Sequence, residues 1–344
     1  MSDFETGFHP EQEDRRLFLQ QTSPEVFDTP TLSELAGGDI ENIDIVRAGQ
    51  HRDGSLEKYV VRYESPERNY FLSSSTHHDM RRVHRDMRHI HDHMPASSVP
   101  RPVAFLEQSQ SVFYEEVPGD HLLKVLGELP VEQRGDVFRR LGERMRQFHD
   151  IPSDAIRPPG EQPASQLEHL LQTVNAGGFE MVAQRDPAFL EELRVFYDRI
   201  VEQEKKLAAT REAVLNHGDL HPENVIVGEG NAVGVMDLTD VMVAPRAKDI
   251  GGFFAQMRVM MRGQYSREEI QNYEGAFLEG YGNSDVESGD IQFYRAWQQW
   301  RTALYNATKS DYNIDDARRD LQTVEHLLAD VQEYADGNLL IPRR

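Results

Sequence analysis

Residues 215–251, LNHGDLHPENVIVGEGNAVGVMDLTDVMVAPRAKDIG, decide how the rest of the chain is read. His217-Gly218-Asp219 opens the stretch, Asn224 follows five residues after the aspartate, and Asp237 comes thirteen residues after that. Two short β-rich runs, Asn224 to Val227 and Val233 to Met236, flank Gly228-Glu229-Gly230-Asn231. That pattern predicts a β-hairpin. Phosphoryl transfer needs a carboxylate that orients and deprotonates an attacking hydroxyl, and hard oxygen ligands for Mg²⁺ at the phosphates. An aspartate on a loop, an asparagine at its end and an aspartate after a hairpin supply those groups. The hairpin is expected to hold Asn224 and Asp237 on one rigid unit.

Upstream of this stretch the pattern is first sparse, then β-rich. Residues 1–38 have few periodic apolar positions, with a short helix expected from Pro30 and ended by Gly37-Gly38. Ile43, Ile45 and Arg47 alternate as in a strand, and Tyr59–Tyr63 and Asn69–Leu72 give two more. Met80, Val83, Met87, Ile90 and Met94 form one helical face, stopped by Pro95. Val103–Leu106 and Ser111–Glu115 add two strands before the break at Val117-Pro118-Gly119. Downstream the chain reads as mainly helical. Val137, Leu141, Met145 and Phe148 form a stripe, Asp186-Pro187 is an N-cap and N1 pair, and Ser266 with Glu269 fits a capping box. The boundaries expected are an extension over 1–38, a small lobe over 39–117 and a helical lobe over 118–344.

Composition narrows the function classes. The 344 residues carry 37 Lys and Arg against 59 Asp and Glu, a net charge of −22. So acidic a surface repels polyanions and argues against nucleic-acid binding, and it leans towards a cationic partner. The absence of cysteine excludes disulfides, Cys-ligated zinc and a thiol nucleophile. No run of eighteen apolar residues exists, and the acidic start lacks an apolar leader, so no membrane is expected and a cytoplasmic location is.

HGDLHPEN followed by MDLTD resembles the catalytic segment of the aminoglycoside phosphotransferase family, which has the protein-kinase-like fold. The pattern H-x-D-x-x-x-x-N is met in full. FYEEVPG at 113–119, LGERMRQFHDIP at 141–152 and PRAKDIGGF at 245–253 extend the likeness over roughly residues 40–310. The resemblance implies a mixed α/β (α+β) enzyme of two lobes: a small lobe with an antiparallel sheet and a large helical lobe. It would move the γ-phosphate of ATP, or of GTP, to a hydroxyl of a sugar, amino alcohol or aminoglycoside-like antibiotic, with Mg²⁺. It further implies Asp219 as base, His217 as brace of the loop, and Asn224 and Asp237 as magnesium ligands. The backbone of Glu115 and Val117 would meet the adenine edge, Asp249 would tie a helix to the loop, and Gly49 and Gly54 would lie in a phosphate-covering turn.

One part of the family's pattern is missing. A Lys or Arg on the third strand normally grips the phosphates and pairs with an acid on the next helix. The expected position is Ser73, and the helix acid would be Asp86. Three explanations remain open. A cation from elsewhere substitutes, with Lys58 and Arg62 sharing one face of the second strand. Alternatively the protein is a nucleotide-sensing or partner-binding homologue without activity, or it transfers another group such as AMP. His89 and His93 stand at i, i+4, but a solvated face is the reading preferred over a metal site. Tyr294, Trp297, Trp300 and Tyr305 read as core of the last helices. The acceptor-binding helices, about 152–212 and 260–330, contain no translatable motif.

Overall fold

The computed structural model describes residues 12–50, 55–156, 177–282, 286–308 and 314–335. Gly54 therefore lies outside the described residues. These fall into two compact units. One runs to Gly119 and also takes in Gly234–Thr239; the other comprises Asp120–Val233 and the chain from Asp240 onward.

The smaller unit is built on a five-stranded antiparallel sheet. Strands β1 (Asn42–Gln50), β2 (Leu56–Glu64), β3 (Asn69–Ser75), β4 (Arg101–Leu106) and β5 (Ser111–Glu115) stand in the order β1-β2-β3-β5-β4. Period-two alternation sends Tyr59, Val61 and Tyr63 to one face, with Tyr70, Leu72 and Phe113. The segment before β1 covers that face. Helices α1 (Gln12–Thr22) and α2 (Thr29–Ala36) and the 3-10 turn Pro24–Phe27 between them lay Leu19, Leu32 and Val26 on it. Buried tyrosine hydroxyls tie the two layers: Tyr63 donates to the Val26 carbonyl at 2.8 Å and Tyr70 to that of Ala36 at 2.9 Å. Gly37 ends α2 at φ 75°, as the sequence predicts, and Asp28, to which that reading gave no role, caps its start.

Two details of β1 correct the alternation expected for it. A bulge between Ile45 and Arg47 exposes Val46 and makes Ala48, not Arg47, the next inward residue. Gly49 is not in a turn but in the strand, paired with Lys58. Helix α3 (Met80–His93), capped by Asp79, packs along β4 and β5 through Met80, Val83, Met87 and Ile90.

The larger unit is mainly helical. Helix α5 (Val131–His149) crosses α9 (Arg267–Tyr281) so closely that a Cβ on Gly142 would meet the Phe277 carbonyl at 2.0 Å. Reciprocally, one on Gly280 would meet the Arg139 carbonyl at 1.9 Å. The capping box of Ser266 and Glu269 opens α9. Helix α8 (Ala247–Met260) packs on α10 (Ser288–Thr308), and α10 on α11 (Ile314–Ala335). Strands β7 (Ala213–Asn216) and β10 (Met242–Pro245) form a two-stranded ladder whose ends carry residues 217–241.

The hairpin expected after Asn224 forms. Strand β8 (Val225–Val227) is followed by a turn with Gly230 and Asn231 at φ 64° and 59°, then by β9 (Val233–Val235). The division between the two compact units falls within it. From Gly234 to Thr239 the chain folds with the smaller unit, so Asn224 and Asp237 belong to different units. The cause is local. The Val235 N–H donates to the Ser98 carbonyl at 2.9 Å, and a Cβ on Gly234 would meet Val117 Cγ1 at 2.7 Å and that carbonyl at 2.9 Å.

Candidate active site

Asp219 leaves β7 on a loop that one carboxylate holds. Asp249, in the first turn of α8, accepts the His217 N–H on Oδ2 at 2.6 Å and the Gly218 N–H on Oδ1 at 3.0 Å. His149, at the end of α5, lies 3.1 Å from the same Oδ2 through Nε2 and 2.7 Å from the Tyr281 hydroxyl through Nδ1. The Asp249 N–H donates to Asn216 Oδ1, whose amide donates to the Val214 and Ala244 carbonyls across the β7–β10 ladder. Burial raises the Asp249 carboxyl, but His149 above all, then Lys248 and His217, hold it down at about 2. It is a buried anion with every oxygen engaged. The His217 ring is fully buried beside Phe148.

Gly218 cannot be replaced without movement. It sits at φ 90°, and a Cβ there would fall 1.9 Å from the Asp240 carbonyl oxygen. Lys248 Nζ donates to the Gly218 carbonyl at 2.6 Å, so the residue before Asp219 is held at both its N–H and its C=O. Burial lowers the Lys248 ammonium, opposed by the charges of Asp249, Asp219 and Asp240. His221 Nε2 lies 3.6 Å from Asp219 Oδ2.

Asn224 closes the loop. Its Nδ2 donates to the Asp219 carbonyl at 2.9 Å, which leaves the amide oxygen as the end that can meet a cation. Asp237, exposed and at φ 58°, accepts the Thr239 hydroxyl at 2.7 Å. An amide oxygen and a carboxylate are the donor chemistry that suits Mg²⁺. Among the described residues no group of three His, Asp or Glu side chains forms a metal cluster. His93 Nδ1 instead meets the His89 carbonyl at 2.8 Å.

In the smaller unit Ser73 is buried within β3, and burial and then the Asp237 charge raise the phenol of Tyr114, which Ser73 hydrogen-bonds. Ser73 pairs with Val60, so Lys58 and Arg62 flank it on the same face of the sheet. They differ in surroundings. Lys58 is buried, whereas Arg62 meets Glu64 at 3.0 Å and Glu116 at 3.2 Å. Asp86 is buried and engaged by Arg82 and Arg85 of its own helix. Glu115 takes Arg68 and Arg101 on its carboxylate, and its backbone lies in the sheet opposite Tyr70; Val117 is buried.

Sequence reading assigned no role to His149, Lys248, Gln256 or Arg301. Gly218 to Leu220 together with Lys248, Gln256, Trp297 and Gln298 line a narrow crevice beside Asp219 with room for about one water. Trp297 and Trp300 are both core, as the sequence reading has them; Trp297 also borders this crevice, and Trp300 donates to the Leu193 carbonyl at 3.0 Å.

Residues 47–297 match the phosphotransferase enzyme family. The chain belongs to that family. Among solved structures, a spectinomycin phosphotransferase in complex with ADP and spectinomycin superposes with a TM-score of 0.56. It shares 16% identity over 90% of this chain and 98% of that one. A choline kinase from Streptococcus pneumoniae gives 0.58 at 15% identity, covering 88% of this chain and 99% of that one. An ethanolamine kinase from Plasmodium vivax gives 0.56 at 15% identity, covering 98% and 99%. No curated protein matches by sequence. The phosphotransferase family membership and these neighbours agree on the protein-kinase-like fold, with its small antiparallel sheet and helical remainder. No helix among the described residues is long and apolar enough to cross a membrane.

Proposed function

We propose that this phosphotransferase moves the γ-phosphoryl group of ATP, or of GTP, to a hydroxyl of a small molecule. The observation that carries the reading is the double grip of Asp249 on the main chain of His217 and Gly218. Such a grip sets Asp219 before substrate arrives, and this reaction depends on positioning. Asp219 orients the hydroxyl and takes its proton. His217 braces the loop from the buried side. The amide oxygen of Asn224 and the carboxylate of Asp237 would be the ligands for Mg²⁺, which would supply charge neutralisation at the phosphates. Lys58 replaces the cation missing at Ser73, and the backbone at Glu115 and Val117 receives the base.

Asp219→Asn is expected to lower turnover about 10³-fold while a thermal shift with Mg-nucleotide persists. Unchanged turnover would overturn the assignment. A second reading, a nucleotide-sensing homologue without turnover, draws on Ser73 and on the commitment of Asp86 to Arg82 and Arg85. It predicts a nucleotide shift with no acceptor-stimulated ADP release. Transfer of AMP would release pyrophosphate instead.

A further inference from the structure

The bulge in β1 decides which side chains that strand presents on each face of the sheet. Plain alternation puts Ile43, Ile45 and Arg47 on one face, the face that α1 and α2 cover. The extra residue, Val46, reverses the alternation from that point on. Ile45 stands opposite Val61, which is core. Arg47 stands opposite Val60, and Ala48 takes the buried place opposite Tyr59. Arg15 of α1 holds the bulge by donating to the Val46 carbonyl at 3.1 Å. Arg47 is thereby moved to the other face, where it is half-buried beside Val46, itself 47% exposed.

That face is the one beside Asp237. Val60 pairs with Ser73, so Arg47, Val60 and Ser73 form one cross-strand row. Ser73 hydrogen-bonds Tyr114, whose phenol feels the Asp237 charge. Charges on this face are sorted along the strands. Asp44 opposes Arg62, which Glu64 and Glu116 hold, so the acids gather at that end. In the opposite direction along β2 come the Arg47 row and then Lys58, opposite Gly49. Two strand spacings, about 10 Å, separate Arg47 from Ser73, and an arginine stem covers much of such a span. A guanidinium also grips two phosphate oxygens at once, which an ammonium does not.

We propose that Arg47 binds the nucleotide phosphates, carried onto their face of the sheet by the bulge and acting with Lys58 where β3 has a serine. This rests on the phosphotransferase reading above. A basic side chain at position 73 would approach the phosphates from β3; Arg47 approaches them from β1, across Val60. Lys58 lies two residues along β2 from that row, so the two cations meet the phosphates at different points.

The test is calorimetric titration of the full chain with Mg-ADP and Mg-GDP, and with adenosine and guanosine as competitors. Arg47→Gln is expected to weaken the better diphosphate about tenfold or more, and its nucleoside by less than about twofold. Arg47→Lys should recover part of the loss, since it restores the charge without the fork. Arg47→Met keeps the stem and serves, with the same expectation, if the glutamine variant fails to fold. Equal losses for diphosphate and nucleoside would make Arg47 a structural residue and overturn the proposal. Unchanged diphosphate binding in the folded variants also overturns it, yet leaves the phosphotransferase reading standing. A wild-type chain that binds neither diphosphate removes that reading, and the role of Arg47 with it.

Discussion

Asp249 uses both carboxylate oxygens on the loop that carries Asp219, and this makes the site sensitive to acid. Its folded pKa, about 2, lies, despite burial, below the ordinary aspartate value of 3.8 because His149, Lys248 and His217 surround it. A depressed carboxylate contributes stability that is complete above its unfolded pKa and is lost as pH falls through the folded one. The contribution, about 2 kcal/mol, should therefore vanish between about pH 4 and pH 2. Urea titrations over that range should show the decline, and Asp249→Asn should be less stable at neutral pH with a flatter acid limb. Lys58 and Arg62 separate in the same way, by surroundings. Lys58 is buried on the face that Ser73 shares, whereas Arg62 is half-exposed and engaged by Glu64 and Glu116, so Lys58→Met should raise KM for nucleotide about tenfold or more and Arg62→Met much less. Equal effects would remove Lys58 as the substitute cation. The spacing of Asp219, Asn224 and Asp237 was legible because it lies in one short stretch. His149 and Lys248 were not, because they converge on that stretch from other elements and no local pattern encodes the meeting.

Helices and strands show the same division between local and distant causes. The stripe Val137, Leu141, Met145 and Phe148 and the caps at Asp186 and Ser266 were readable because each is decided within a few residues. The bulge at Val46 was not. Arg15 of α1 donates to the Val46 carbonyl at 3.1 Å, so the kink in β1 is tied to a helix that residue alternation does not see. Nor does composition announce that Gly142 and Gly280 are contact points. Each lies where the facing backbone leaves no room for a methyl group. Gly142→Ala and Gly280→Ala should each cost about 1–3 kcal/mol by overpacking, although alanine is the better helix former. Denaturant midpoints will show whether packing outweighs propensity; a stabilised variant would mean that α5 and α9 can separate at little cost.

Over the whole molecule the net charge of −22 opposes compactness by self-repulsion. Salt shortens the screening distance from about 10 Å at 0.1 M to about 3 Å at 1 M. The melting temperature should therefore rise by about 2–4 °C between low and high NaCl, and a fall would show that ion pairs outweigh the repulsion. The chain also returns to the smaller unit for Gly234–Thr239 before leaving it again. Exchange of that unit between relatives thus needs two splices, one near Gly119 and one enclosing the Asp237 segment. A chimera joined only at Gly119 would inherit a foreign strand against Ser98 and Val117, and its failure would report the graft rather than the donor's chemistry.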